Sequence, residues 1–115
     1  MKILLVDDNK SITKVISQYL IIQGYQCTVS NEGKTGLILI NSEKFDVILL
    51  DLAMPDFTGF DILDSLEASG LLKKLKIIIL TAAELSENDI TKLLKRGVNK
   101  VLKKPISLDA LEQNL

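Results

Sequence analysis

Three short stretches, Ile3-Leu4-Leu5-Val6, Val47-Ile48-Leu49-Leu50 and Ile77-Ile78-Ile79-Leu80, contain no polar residue, and each runs straight into one: Asp7, Asp51 and Thr81. A run that apolar has no face to turn to water. It reads as a strand buried on both faces, which is how strands of a parallel sheet look when helices cover both sides. Helical patterns lie between these runs. From about Ser11 to Gln23, Ile12, Val15, Ile16, Tyr19 and Leu20 share one helical face, and Gly24 can end that helix. Asn31 can cap a second helix running to about Ser42. A third starts near Gly59 or Phe60 and turns Ile62, Leu63 and Leu66 inward. Ser86 and Asp89 form a capping box with aspartate in place of the usual Glu or Gln. The helix behind them buries Ile90, Leu93 and Leu94 and ends at Gly97, and Ser107 can cap a last one.

Two further strands differ in character. Tyr25 to Ser30 alternates apolar and polar residues, and Lys100 to Lys103 has only Val101 and Leu102 as apolar members. Both belong at sheet edges, whereas the three unbroken runs belong in the centre. Five strands alternating with five helices argue an α/β three-layer sandwich over residues 1–115, one domain. With right-handed crossovers the strand order is 2-1-3-4-5, and the crevice beyond the carboxyl ends opens between strands one and three.

Composition narrows the chemistry. Histidine is absent, so imidazole serves neither as base, phosphoacceptor nor metal ligand. The net charge of −1 gives no general pull toward nucleic acid or membrane, and no apolar run approaches the roughly 20 residues of a membrane span. The single Cys27 cannot form an internal disulfide, and the first residues are too short for a signal peptide, so a cytoplasmic setting is expected.

Across the carboxyl edge of the sheet stand Asp7-Asp8, Asp51, Thr81 and Lys104. Adjacent strands lie about 4.8 Å apart, so these groups converge. Crowded carboxylates raise one another's pKa, and a hard divalent cation such as magnesium relieves the repulsion. Asp8 and Asp51 are the direct ligands on this reading, with Asp7 acting directly or through water. A carboxylate beside a cation, a hydroxyl and a lysine suits phosphoryl transfer, with Asp51 as nucleophile, Lys104 as counter-charge and Thr81 as hydrogen-bond donor.

Val6-Asp7-Asp8-Asn9, Asp51-Leu52-Ala53-Met54-Pro55 with Gly59, Leu80-Thr81-Ala82 and Lys104-Pro105 occur in this order over nearly the whole chain. In this the chain resembles the receiver domains of two-component response regulators. The resemblance implies a flavodoxin-like fold and a phosphorylation-dependent signalling switch rather than an enzyme. Asp51 would accept a phosphoryl group from the phosphohistidine of a sensor histidine kinase or phosphotransfer protein. Mg2+ would sit on Asp8, Asp51 and the Ala53 backbone carbonyl with Asp7 assisting, and Thr81 would swing toward the phosphoryl group that Lys104 contacts. The resemblance also implies a cis Lys104-Pro105 bond and a kinase-docking surface that includes Ile12, Val15, Pro105 and Ile106. It leaves the downstream protein target open, and with it whether the chain stands alone or is cut from a larger regulator or hybrid kinase.

Three positions depart from the pattern. Val101 stands where most receivers carry an aromatic residue that changes rotamer with the hydroxyl residue, and a β-branched side chain is too stiff and small for that swing. A weakened relay toward the fourth helix, fifth strand and fifth helix is therefore expected. Ala53 and Ala83, near the acceptor and the hydroxyl, have no polar side chain to orient water. The basic residues Lys92, Lys95, Arg96, Lys100, Lys103 and Lys104 read as a solvated face offset by nearby acids rather than as a site for an anionic partner.

Other classes fit less well. A haloacid-dehalogenase-type phosphatase needs a second acid two residues after its nucleophile, which Asp51-Leu52-Ala53 lacks. A P-loop nucleotidase needs G-x-x-x-x-G-K-[ST], which is absent. A flavin-binding flavodoxin would meet an acidic turn after its first strand. The remaining rival is a pseudo-receiver interaction module without phosphorylation, against which the full acid, threonine and lysine set argues.

Overall fold

The computed structural model describes residues 1–115. Strands β1 (Lys2–Val6), β2 (Gln26–Ser30), β3 (Val47–Leu50), β4 (Ile77–Thr81) and β5 (Lys100–Lys103) alternate with helices α1 (Lys10–Ile22), α2 (Gly33–Ser42), α3 (Gly59–Ala68), α4 (Glu87–Arg96) and α5 (Leu108–Gln113). A 3-10 turn, Leu72–Lys74, leads into β4. The five strands form one parallel sheet in the order 2-1-3-4-5. This is the flavodoxin-like arrangement expected from the sequence.

The central strands are buried on both faces because successive side chains point to opposite sides. Leu4, Val6, Ile48, Leu50, Ile77 and Ile79 pack with Ile40, Ile62, Leu63, Leu66 and Leu93, so α2, α3 and α4 cover one face. Ile3, Leu5, Val47, Leu49, Ile78 and Leu80 pack with Ile16, Leu20 and Leu111, so α1 and α5 cover the other. A run of four apolar residues thus feeds two cores at once.

Local signals act largely as the sequence predicts. Ser86 and Asp89 make a reciprocal capping box, Ser107 caps α5, and Gly24 and Gly97 follow helix ends with φ of 98° and 127°. Three expectations need correction. Asn31 does not cap α2: the cap position is Glu32, which gives no side-chain cap bond, while Asn31 donates to the Asp7 carbonyl and Thr13 Oγ1. Val15 is exposed, and Thr13 is buried instead: the inward face of α1 runs through Thr13, Ile16 and Leu20, and Thr13 Oγ1 accepts from Asn31. Leu94 is exposed, since α4 rests on the sheet through Leu93.

The basic residues do not form one patch. Arg96 reaches Asp64 at 2.7 Å and Glu67 at 3.2 Å on α3, Lys103 lies 3.5 Å from Glu84, and Lys100 donates to the Asn114 carbonyl. Glu112 on α5 accepts from both Tyr19 on α1 and Tyr25, at 2.8 and 3.1 Å. No helix is long and apolar enough to cross a membrane.

Candidate functional site

Sheet register brings the polar residues together. Val6 is level with Leu50, so Asp7 and Asp51 leave neighbouring strands side by side, and the Asp51 N–H donates to the Val6 carbonyl at 3.0 Å. Thr81 is level with Lys103, and the Lys104 N–H donates to the Thr81 carbonyl at 2.9 Å. The chain then turns through a cis Lys104-Pro105 bond, as expected. These adjacencies come from residues far apart in sequence. Only the closed sheet makes them.

Carboxylate oxygens of Asp7, Asp8 and Asp51 lie within 4.8 Å of one another. Asp7 and Asp51 are buried and Asp8 is exposed, so the cluster opens to solvent on the Asp8 side. Lys104 Nζ is 2.5 Å from Asp7 Oδ2 and 3.7 Å from Asp51 Oδ2, one cation serving two acids. Asp7 Oδ1 also accepts from the Asn9 N–H at 2.9 Å, and Asp51 Oδ1 from the Ala53 N–H at 3.3 Å. Thr81 is buried, and its Oγ1 accepts from the Ala83 N–H at 3.2 Å. Its own hydroxyl proton is left to give to another acceptor.

Burial holds the Asp51 carboxyl above the usual aspartate range; the Thr81 hydroxyl pulls it back down, Asp7 pushes it up, and Lys104 and the Ala53 N–H pull it down. The charged form is thus undersupplied with positive charge. Three oxygen donors, one facing solvent and two buried, fit a hard divalent cation, and no thiol or imidazole competes for it.

The residues predicted to carry the chemistry, Asp7, Asp8, Asp51, Thr81 and Lys104, lie at this edge. Ile12, Val15, Pro105 and Ile106 line an adjoining groove of about 620 Å³ that shares Lys104 with the site, together with Ile16 and Leu108. Val101 is half-buried against the α2–α4 face. Asn31 was missed as a site neighbour: its bond to the Asp7 carbonyl fixes the backbone of the first acid. A polar residue just after an edge strand signals a cap as readily as a brace, so sequence alone does not separate the two.

A family model described as "Response regulator receiver domain" matches residues 3–115. The chain is 33% identical to chemotaxis protein CheY of Pseudomonas aeruginosa, over all of this chain and 93% of that protein. It is also 33% identical to the sensor histidine kinase RcsC of Salmonella typhi, over all of this chain but only 12% of that protein. Among solved structures it resembles the Francisella response regulator 1452 receiver domain, with a TM-score of 0.87 and 35% identity over 98% of this chain and 91% of that one. The response regulator TrrA of Thermotoga maritima, solved in complex with Mg(2+)-BeF, gives a TM-score of 0.83 at 26% identity over 98% and 94% of the two chains.

Proposed function

Because the chain belongs to the response regulator receiver family, we propose that it is a phosphorylation-dependent signalling switch with Asp51 as phosphoacceptor. The donor is the phosphohistidine of a partner histidine kinase or phosphotransfer protein, and phosphorylation changes which protein target the domain binds. The observation that carries this reading is the convergence of three groups from neighbouring strand ends, Asp7, Thr81 and Lys104, on the Asp51 carboxylate.

In the transfer an Asp51 oxygen attacks phosphorus, the phosphorus–nitrogen bond to the donor breaks, and its electron pair stays on the imidazole. Lys104 neutralises charge on the transferring group, and the Thr81 hydroxyl donates to a phosphoryl oxygen. Bound Mg2+, held by Asp8, Asp51 and the Ala53 carbonyl, would neutralise further phosphoryl charge. The Asp7 carboxylate, already engaged by Lys104 and the Asn9 N–H, is suited to assist rather than lead. Asp8 is exposed, so the cluster is open to an incoming donor on that side. The groove holding Ile12, Val15, Pro105 and Ile106 borders Lys104 and offers an apolar seat for the kinase beside the site.

The chemistry ends on the domain's own side chain, so the domain is a switch rather than an enzyme with a released product. The test is intact mass after incubation with acetyl phosphate and Mg2+. One phosphoryl group should be gained by the wild type and none by Asp51→Asn. An unmodified wild type, or an equal gain in Asp51→Asn, overturns the assignment.

A further inference from the structure

The loop that follows Asp51, residues 53–58, holds a conformation its own residues do not favour. Asp56 has φ 63°, and the Phe57 N–H donates to the Pro55 carbonyl at 2.7 Å, closing a three-residue turn around a left-handed residue. Such a turn is uncommon and strained for a residue with a side chain, so its neighbours must hold it. On one flank the Gly59 N–H donates to the Leu52 carbonyl at 3.2 Å, and Thr58 with Asp61 caps α3. On the other flank stands Gly33, the first residue of α2. A Cβ there would lie 2.9 Å from the Phe57 carbonyl carbon and closer still to its oxygen. Those are backbone atoms, which cannot rotate aside as a side chain can. The Phe57 carbonyl therefore rests on a bare Cα, and the two segments form the walls of a crevice that also contains Asp8.

We propose that Gly33 is a positioning residue for the cation and phosphoryl site, although it lies on another element and donates nothing to it. Its missing side chain seats the Phe57 carbonyl, and this seat fixes residues 53–58 over the acid cluster. A methyl group at position 33 displaces the loop, and with it the Ala53 backbone that borders Asp51. The inference rests on the reading of Asp7, Asp8 and Asp51 as a Mg2+ site.

The test compares Mg2+ affinity by titration calorimetry for the wild type, Gly33→Ala and Gly24→Ala. Gly24 is a matched control: a Cβ there meets nothing within 4 Å, but its φ of 98° makes alanine strained, and it lies at the opposite end of the sheet. Gly33→Ala should bind Mg2+ roughly ten-fold more weakly, the scale of losing an outer support of a metal site. Gly24→Ala should match the wild type even where the two variants melt at the same temperature. Equal affinity in Gly33→Ala and the wild type overturns the inference alone, as does an equal loss in Gly24→Ala. A wild type that binds no Mg2+ overturns the underlying site reading instead. Should Gly33→Ala not fold, amide exchange in the wild type decides, because coupling is reciprocal. Mg2+ should slow exchange of the Gly36 and Leu37 amides in the first turn of α2 relative to those at its far end; no change overturns the inference.

Discussion

Replacing Lys104 with methionine removes the cation that pairs with both Asp7 and Asp51 while keeping most of the stem. The ammonium lies 2.5 Å from one carboxylate and 3.7 Å from the other, and its side chain is 14% exposed against 2% and 7% for theirs. At an effective dielectric near 20, one such pair at 4 Å is worth about 4 kcal/mol before desolvation. Breaking a buried pair costs roughly 3–5 kcal/mol net, because the remaining charge is left uncompensated. The lower end applies here, since burial and Asp7 already push Asp51 toward its protonated form and a proton can replace the lost cation. A loss of about 3 kcal/mol corresponds to a melting point lower by about 12 °C, at about 4 °C per kcal/mol for a chain of this size. Circular dichroism melts at pH 7 in EDTA measure it directly. Added Mg2+ should recover more stability in Lys104→Met than in the wild type, and lowering the pH should narrow the gap as Asp51 takes up its proton. If Lys104→Met melts with the wild type in EDTA, or the gap ignores both Mg2+ and pH, the electrostatic account of this site is wrong.

Asp51→Asn should melt above the wild type at pH 7 in EDTA. The folded pKa of Asp51 lies above its unfolded value, so its contribution to stability is full below the unfolded pKa and lost as pH rises through the folded one. The advantage of the variant should therefore shrink as pH falls toward 4, which melts across that range will show. Glu112→Gln should lower the alkaline titration midpoints of Tyr19 and Tyr25, both raised first by their hydrogen bonds to that carboxylate. The chain has two tyrosines and no tryptophan, so phenolate absorbance reads them alone. Thr58→Ala breaks the capping box that starts α3 and should cost about 1 kcal/mol by urea denaturation. With beryllofluoride and Mg2+, amide shifts over residues 86–103 should be smaller than in receivers with an aromatic residue at the position of Val101; large shifts across that stretch would defeat the weakened-relay reading.

The architecture was legible because the unbroken runs at Ile3–Val6, Val47–Leu50 and Ile77–Leu80 leave no alternative to a doubly covered sheet. Once that sheet is ordered 2-1-3-4-5, its register alone places Asp7, Asp51, Thr81 and Lys104 together. What escaped notice depends on side-chain partners distant in sequence. Asn31 has cap chemistry, yet its Nδ2 is anchored on the Asp7 carbonyl and Thr13 Oγ1, and α2 starts one residue later behind Glu32. Val15 fits an apolar face by spacing, but the inward face of α1 takes Thr13 with Ile16 and Leu20 and leaves Val15 outside. Arg96 looked like one member of a basic stretch, and only the packing of α4 beside α3 shows it spent on Asp64 and Glu67. The Gly33 seat is further from sequence still, since nothing local to α2 hints that a carbonyl from another loop lies against it.

The span between Asp7 and Lys104 also orders events in time. The two acids that follow β1 and Asp51 at the end of β3 leave the ribosome well before the lysine that compensates them, by several seconds at roughly 5–20 residues per second. Until β5 docks on β4, Asp51 has neither its counter-charge nor the strand neighbour that holds Thr81 in place. A nascent chain therefore displays the Asp51 carboxylate before the lysine that compensates it. On the proposed function, placing the compensating cation just after β5 ties competence to accept a phosphoryl group to the docking of that strand.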